Sequence, residues 1–206
     1  MLAADFAQTV LRSVLPGYII GCAVGFLLAL AIDRSDFLKR GLMPLGNLVS
    51  AMPIVGIAPI AVMWFGFGWQ SKAAVVAAMT IFPMLVNTTA GLNEASVLEL
   101  ELLLSYAASY PVTLLKLRLP AALPHIFAAL KLNSTLALIG AVVAEFFGSP
   151  ILGLGFRIST EAASLNLDIV WAAILIVALT GSLSFAALAL LERAVTFWHP
   201  SYRNPN

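Results

Sequence analysis

The sequence predicts an all-α fold, a polytopic bundle of about five helices crossing a membrane. Three observations predict it. Hydrophobic residues make up 61% of the 206-residue chain and charged residues 10%, where a soluble domain carries roughly a quarter charged. Mean hydropathy is +0.99. The apolar residues come in five long runs, near 14–32, 43–65, 73–91, 125–146 and 170–192, each close to the roughly 20 residues that a helix needs to cross a bilayer core. The runs are continuous and rich in Leu and Ala, without the short alternation of an outer-membrane barrel. A net charge of +1 leaves no basic footprint for nucleic acid. The single cysteine, Cys22, excludes an internal disulfide and reads as a small packing residue.

Taken in order, the first run holds Gly17, Gly21 and Gly25. Glycines at a four-residue spacing make a groove along one helix face, so another backbone can approach closely. The second run, PLGNLVSAMPIVGIAPIAVMWFGFG, contains Pro53 and Pro59. Each removes a backbone donor, so this span is expected to be kinked and to face the protein interior, as a packing kink or as the wall of a pathway. Asn87 and Thr88 in the third run, and Asn133, Ser134 and Thr135 in the fourth, either line a polar path or bond between helices. Glu145 lies near the far end of the fourth run. A carboxylate there is costly unless paired, which marks it as functional. Arg157, across a Gly-rich loop, is its expected partner, in an ion pair or gate contact; direct contact with a solute is the alternative. Trp198 and Tyr202 read as interfacial anchors.

Basic residues set the orientation. Five spans put Arg34, Lys39, Arg40, Lys116, Arg118, Lys131, Arg193 and Arg203 on one side, and Arg12, Lys72 and Arg157 on the other. The richer side is expected to be cytoplasmic, with the N-terminus outside. An external N-terminus this short, without a signal peptide, is uncommon, so a preceding helix is expected.

The segment 92–124, LNEASVLELELLLSYAASYPVTLLKLRLPAAL, is the longest stretch between spans. Asn93 is expected to cap a helix carrying Glu94, Glu99 and Glu101. Pro111 is expected to start a second short helix that ends before Pro120. Two short amphipathic helices at a membrane surface are too small for a catalytic domain and suit docking to a soluble partner.

This segment resembles the coupling loop of binding-protein-dependent ABC importer permeases. Their motif is Glu-Ala-Ala, three residues, Gly, nine residues, Ile, one residue, Leu-Pro. Anchored on Leu119-Pro120, the Ile position falls on Leu117, the Gly position on Ala107 and the Glu on Glu101. Leu102 and Leu103 stand where the motif has Ala. PIVGIAPIAVMWFGFGWQSKAAVVAAMTIFPMLVNTTAGL resembles spans of the nitrate, sulfonate and taurine branch, and VAEFFGSPILGLGFRI and ERAVTFWHPS resemble its later spans. GSPILGLGFRISTEA and TFWHPS are most similar to members that carry pyrimidine thiamine precursors. The similarity runs from about residue 8 to 201.

The resemblance implies a type I permease domain over 1–195 and a cytoplasmic tail over 196–206. It implies a multi-pass subunit of the cell inner membrane that moves a small solute in an ATP-driven importer. The partners implied are cytoplasmic ABC ATPases, a second permease copy in a homodimer, and an extracytoplasmic solute-binding protein. Glu101, Ala107, Leu117, Leu119 and Pro120 would dock the ATPase. Pro53, Pro59, Asn133, Glu145 and Arg157 would line the path or its gate. The branch usually carries one more helix at the start, in line with the topology above.

No cofactor or metal is expected. The chain lacks Gly-x-x-x-x-Gly-Lys-Ser/Thr, so ATP hydrolysis falls to a separate chain. It lacks His-Glu-x-x-His, and His125 and His199 are far apart, so no enzyme site assembles in the sequence. A self-sufficient carrier or a vitamin-binding membrane subunit is the alternative. A carrier would carry inverted repeats or a midplane pocket, and the sequence shows no internal repeat.

Overall fold

The computed structural model describes residues 1–35, 37–38, 40–41, 44, 53–148 and 152–197, and seven continuous helices are bounded among these described residues. They are α1 (Leu2–Arg34) and α5 (Tyr110–Gly148), α2 (Ile54–Phe65), α3 (Trp69–Leu92), α4 (Val97–Ser105), α6 (Leu154–Ala163) and α7 (Leu167–Val195). No strand occurs among the described residues. Four of the helices, α1, α3, α5 and α7, are long and apolar enough to cross a membrane, which makes this a multi-pass membrane protein. Of the expected span 43–65, the described residues are 44, 53 and the 12-residue α2; most of its first half lies outside the described residues.

Two helices run further than the apolar runs suggest, for one shared reason. α1 begins at Leu2 rather than near 14, and α5 begins at Tyr110 rather than near 125. The expected break before Pro120 is therefore absent. A proline inside an α-helix has no N–H and strikes the carbonyl four residues back. Here a π-helical stretch, Ala7–Val14 in α1 and Leu114–Arg118 in α5, ends two residues before Pro16 and Pro120 respectively. The wider i→i+5 turn shifts the crowded carbonyls, so each helix continues through its proline. At 39 residues and about 1.5 Å per residue, α5 is roughly 58 Å long, far more than a bilayer core of about 30 Å.

α3 lies between α1 and α5 and carries the core. The glycine stripe on α1 seats it: a Cβ at Gly17 would come within 2.7 Å of the Val76 Cβ, and one at Gly25 within 2.8 Å of the Met84 Cβ. At Gly21 it would overlap the Thr80 hydroxyl. The stripe is a backbone-packing groove, as its spacing predicts. On the other flank Gly91 of α3 meets Ala122 and His125 of α5. Cys22, Met84, Leu92, Ala122, Ile126 and Ala129 form the largest buried cluster across these three helices. α2 packs on α3 and α5 through a separate cluster, Ala58 and Ala61 against Val75 and Ala144. α7 leaves Leu175, Leu179 and Leu183 exposed.

Candidate functional site

The loop end of the bundle is built on α4. Its cap is Ser96, not Asn93. The Ser96 hydroxyl accepts from the Glu99 N–H at 3.2 Å, and the Glu99 carboxylate accepts from the Ser96 N–H at 3.3 Å, a closed capping box. Asn93 instead ends α3 and donates back to the Thr89 carbonyl. At the other end of α4, Ala107 adopts φ +52°. Its N–H donates to the Leu104 carbonyl at 2.9 Å, and that of Ala108 to the Leu103 carbonyl at 3.0 Å. This pair of bonds is a Schellman termination, whose left-handed residue is most often Gly. Ala107 thus occupies the one backbone position in the loop that explains a glycine in the motif.

α4 buries no residue. Val97, Leu98, Leu102, Leu104 and Tyr106 are exposed, Leu98 to 78%, and Glu101 lies exposed among them. Leu117, Leu119 and Pro120 sit apart from it on α5, half-buried, with Leu119 packed on the main core cluster. Behind α4 an ion pair closes the base of the loop. Arg118 donates to both Asp33 carboxylate oxygens, at 2.6 and 2.7 Å, and through Nε to the Leu92 carbonyl at 2.9 Å.

At the opposite end, three side chains from distant helices receive the start of α6. The first N–H groups of a helix have no partner inside it. Here the Gly153 N–H donates to Asp5 at 3.0 Å, the Leu154 N–H to the Thr9 hydroxyl at 2.8 Å, and the Gly155 N–H to Glu145 at 2.8 Å. The Thr9 hydroxyl in turn donates to the Glu145 carboxylate. Two carboxylates also suit the positive end of the helix dipole. Gly153 lies at φ +136°, and a Cβ there would run into the Glu145 carboxylate. Lys72 is buried beside them and donates to the carbonyls of Phe67 (2.8 Å), Gly68 (3.1 Å) and Gly148.

The expected pair of Glu145 with Arg157 does not form. The Arg157 guanidinium donates to Asp5 at 3.0 Å and to Glu161 at 3.3 Å, and these carboxylates hold it more firmly protonated than usual. Arg157 lies on α6 past the turn that buries Glu145, so the N-terminal helix supplies its counter-charge. Glu145 is 1% exposed, which leaves no opening for a solute at its carboxylate in this conformation.

Residues 17–197 match the model of the binding-protein-dependent transport system inner membrane component family. The chain belongs to this family. It is a membrane-spanning permease subunit of an ATP-driven ABC importer, and it is not an enzyme; the ATPase is a separate subunit. Among its relatives, the formylaminopyrimidine transport permease protein ThiX of Halalkalibacterium halodurans is 33% identical over 88% of this chain and 72% of its own length. The putative aliphatic sulfonates transport permease protein SsuC of Bacillus subtilis is 30% identical, over 90% and 67%. The taurine transport system permease protein TauC of Escherichia coli is 28% identical, over 96% and 70%. The fold is similar to that of the inward-facing MetNI methionine ABC transporter, at a TM-score of 0.76 and 20% identity, covering 95% of this chain and 94% of that one.

The remaining expected site residues of the permease do not converge. Asn133 is fully buried between helices and donates to the Thr80 carbonyl at 2.9 Å and to the Cys22 sulfur at 3.3 Å. It joins α5 to α3 and α1. Pro53 stands at the start of α2 with extended backbone, and Pro59 is exposed on its outer side; the inward face of α2 is Ala58 and Ala61. Asn87 donates to the Pro83 carbonyl one turn back. Trp198 and Tyr202 lie outside the described residues. Sequence reasoning missed Asp5, Thr9, Lys72 and Asp33. Asp5 carried a readable signal, an acidic residue within an apolar helix; Thr9 carried none.

Proposed function

We propose that this permease docks its ATPase through α4 and moves an uncharged pyrimidine-type solute inward across the cell inner membrane. The observation that carries the docking reading is a short helix that exposes four large aliphatic side chains, with Tyr106 exposed at its cap, and ends in a left-handed residue at the motif's Gly position. An exposed apolar patch ringed by polar groups marks a protein contact. The loop end then faces the cytoplasm, together with the tail, and the α6 end faces the outside, where a binding protein delivers solute. The domain is 1–195. Glu101 is a rim charge, Ala107 shapes the turn, and Leu117, Leu119 and Pro120 seat the loop on α5. Two copies form the path as a homodimer, and alternating access arises because ATP stabilises one of two arrangements.

Two things support the solute class. The relative ThiX carries formylaminopyrimidine in its name. Among the described residues, the cations buried or half-buried in the bundle are already engaged: Lys72 by three carbonyls, Arg118 by Asp33, Lys131 by Glu192 at 2.6 Å and Arg157 by Asp5. This favours a neutral solute over sulfonate, taurine or nitrate.

Copurification tests the docking. Leu98→Asp should leave the permease inserted and lower recovery of the ATPase subunit about tenfold, the loss expected from about 1.4 kcal/mol at a contact centre. Recovery at the wild-type level would refute docking through α4. For the solute, uptake of labelled formylaminopyrimidine should be competed by related pyrimidines and not by taurine.

A further inference from the structure

We infer that Arg118 is a positioning residue that transmits movement of the docking loop to α1. This deepens the docking reading above and rests on it. α4 is joined covalently to α3 on one side and to α5 on the other, whereas α1 lies some sixty residues upstream and has no direct chain connection to it. The Arg118 side chain spans that gap. The Arg118 guanidinium grips both oxygens of Asp33 in the last turn of α1, and its Nε holds the carbonyl of Leu92, the last residue of α3. Arg118 itself belongs to the π-helical stretch of α5. The ends of α1, α3 and α5 therefore meet on a single guanidinium.

The pair is built to be stiff. A two-point fork between guanidinium and carboxylate fixes orientation as well as distance. The Asp33 side chain is 5% exposed and that of Arg118 17%, so solvent screens the contact little. Asp33 is held from a second direction by the Tyr110 hydroxyl at 2.8 Å, and the Arg34 guanidinium lies over the Tyr110 ring at 5.6 Å. Tyr110 is the first residue of α5, directly after the loop. Both flanks of the 93–109 loop are thus tied to Asp33, one through Tyr110 and one through Arg118 on Leu92. A push on α4 that displaces the ends of α3 and α5 carries α1 with it. α1 holds the other end of the bundle through Asp5 and Thr9, so it can deliver that motion across the membrane alongside α5, which holds the same end through Glu145.

The test is the amount of solute imported per ATP hydrolysed, in proteoliposomes holding permease and ATPase with the binding protein added. Arg118→Lys keeps the charge and loses the fork; Asp33→Asn keeps the shape and loses the charge. Both should retain the ATPase in the complex and keep its hydrolysis, while solute imported per ATP falls about tenfold, within the usual range of a coupling free energy. Asp33→Glu should recover part of the ratio. An unchanged ratio in both variants, with the wild-type complex intact, would overturn the inference alone. Loss of the ATPase from both variants would overturn it too, since the pair would then serve only to hold the docking surface. A wild-type permease that retains no ATPase would overturn the docking reading and this inference together.

Discussion

The Thr9 hydroxyl lies 2.7 and 3.0 Å from the two carboxylate oxygens of Glu145, across 136 residues of sequence. The same oxygen accepts the Leu154 N–H. One threonine thereby joins α1, α5 and α6, and satisfies a buried carboxylate and a helix start together. Thr9→Val keeps the shape and removes both bonds. It should lower stability by about 1–3 kcal/mol, the cost of buried groups left unpaired. The thermal midpoint of the detergent-solubilised permease is the measurement; a midpoint equal to wild type would show that this contact is idle.

Asp5 should matter more than the arginine it meets. Asp5→Ala strips an acceptor from the Gly153 N–H and a counter-charge from Arg157, whereas Arg157→Ala leaves the Gly153 bond in place. Hydrogen exchange at the Gly153 amide should accelerate in the Asp5 variant and stay near wild type in the Arg157 variant. Equal acceleration in both would mean that the ion pair, not the helix cap, holds α6.

The glycine groove predicts a sharp contrast between two alanine substitutions. Gly21→Ala puts a methyl into the Thr80 hydroxyl and the Ala77 backbone, while Gly181→Ala meets the flexible end of Leu138 at 3.3 Å. Overfilling a close helix crossing costs about 1–3 kcal/mol. Gly21→Ala should lower the thermal midpoint and Gly181→Ala should change it little. Comparable midpoints for the two would rule out a tight α1–α3 crossing at Gly21.

Ala107 is strained by its left-handed backbone, and a glycine there relieves about 1 kcal/mol. Ala107→Gly should keep ATPase recovery at or above wild type. Ala107→Val, β-branched at the same φ, should reduce it. If both variants recover the ATPase equally, the turn geometry does not shape the docking surface.

Much of the fold was legible because the chain's periodicities are strong. Long apolar runs located α3 and α7 closely, and the Gly17, Gly21, Gly25 spacing gave the packing face of α1. Helix ends were less legible: Pro120 reads as a boundary until the π-helical turn before it is known to absorb it, and the start of α1 lies well ahead of its apolar run. The coupling motif led to Ala107, whose left-handed backbone gives physical meaning to a residue chosen by spacing alone. Glu145 was legible as an unusual buried acid, but not its partners. Arg157 is near it in sequence, while Thr9 and Asp5 come from the far end of the chain, and no local pattern carries a contact of that range. The Asp33–Arg118 pair was hidden for the same reason.

The central claim is that α4 is the surface on which the ATPase sits. Photo-cross-linking tests it most directly, with a photoreactive residue placed at Leu98 on α4, or at Leu165 in the turn between α6 and α7, both exposed. With the ATPase subunit co-expressed and identified by its mass, position 98 should give the permease–ATPase adduct and position 165 should give none. An adduct from position 165, or none from position 98 in a complex that still copurifies, would contradict the account.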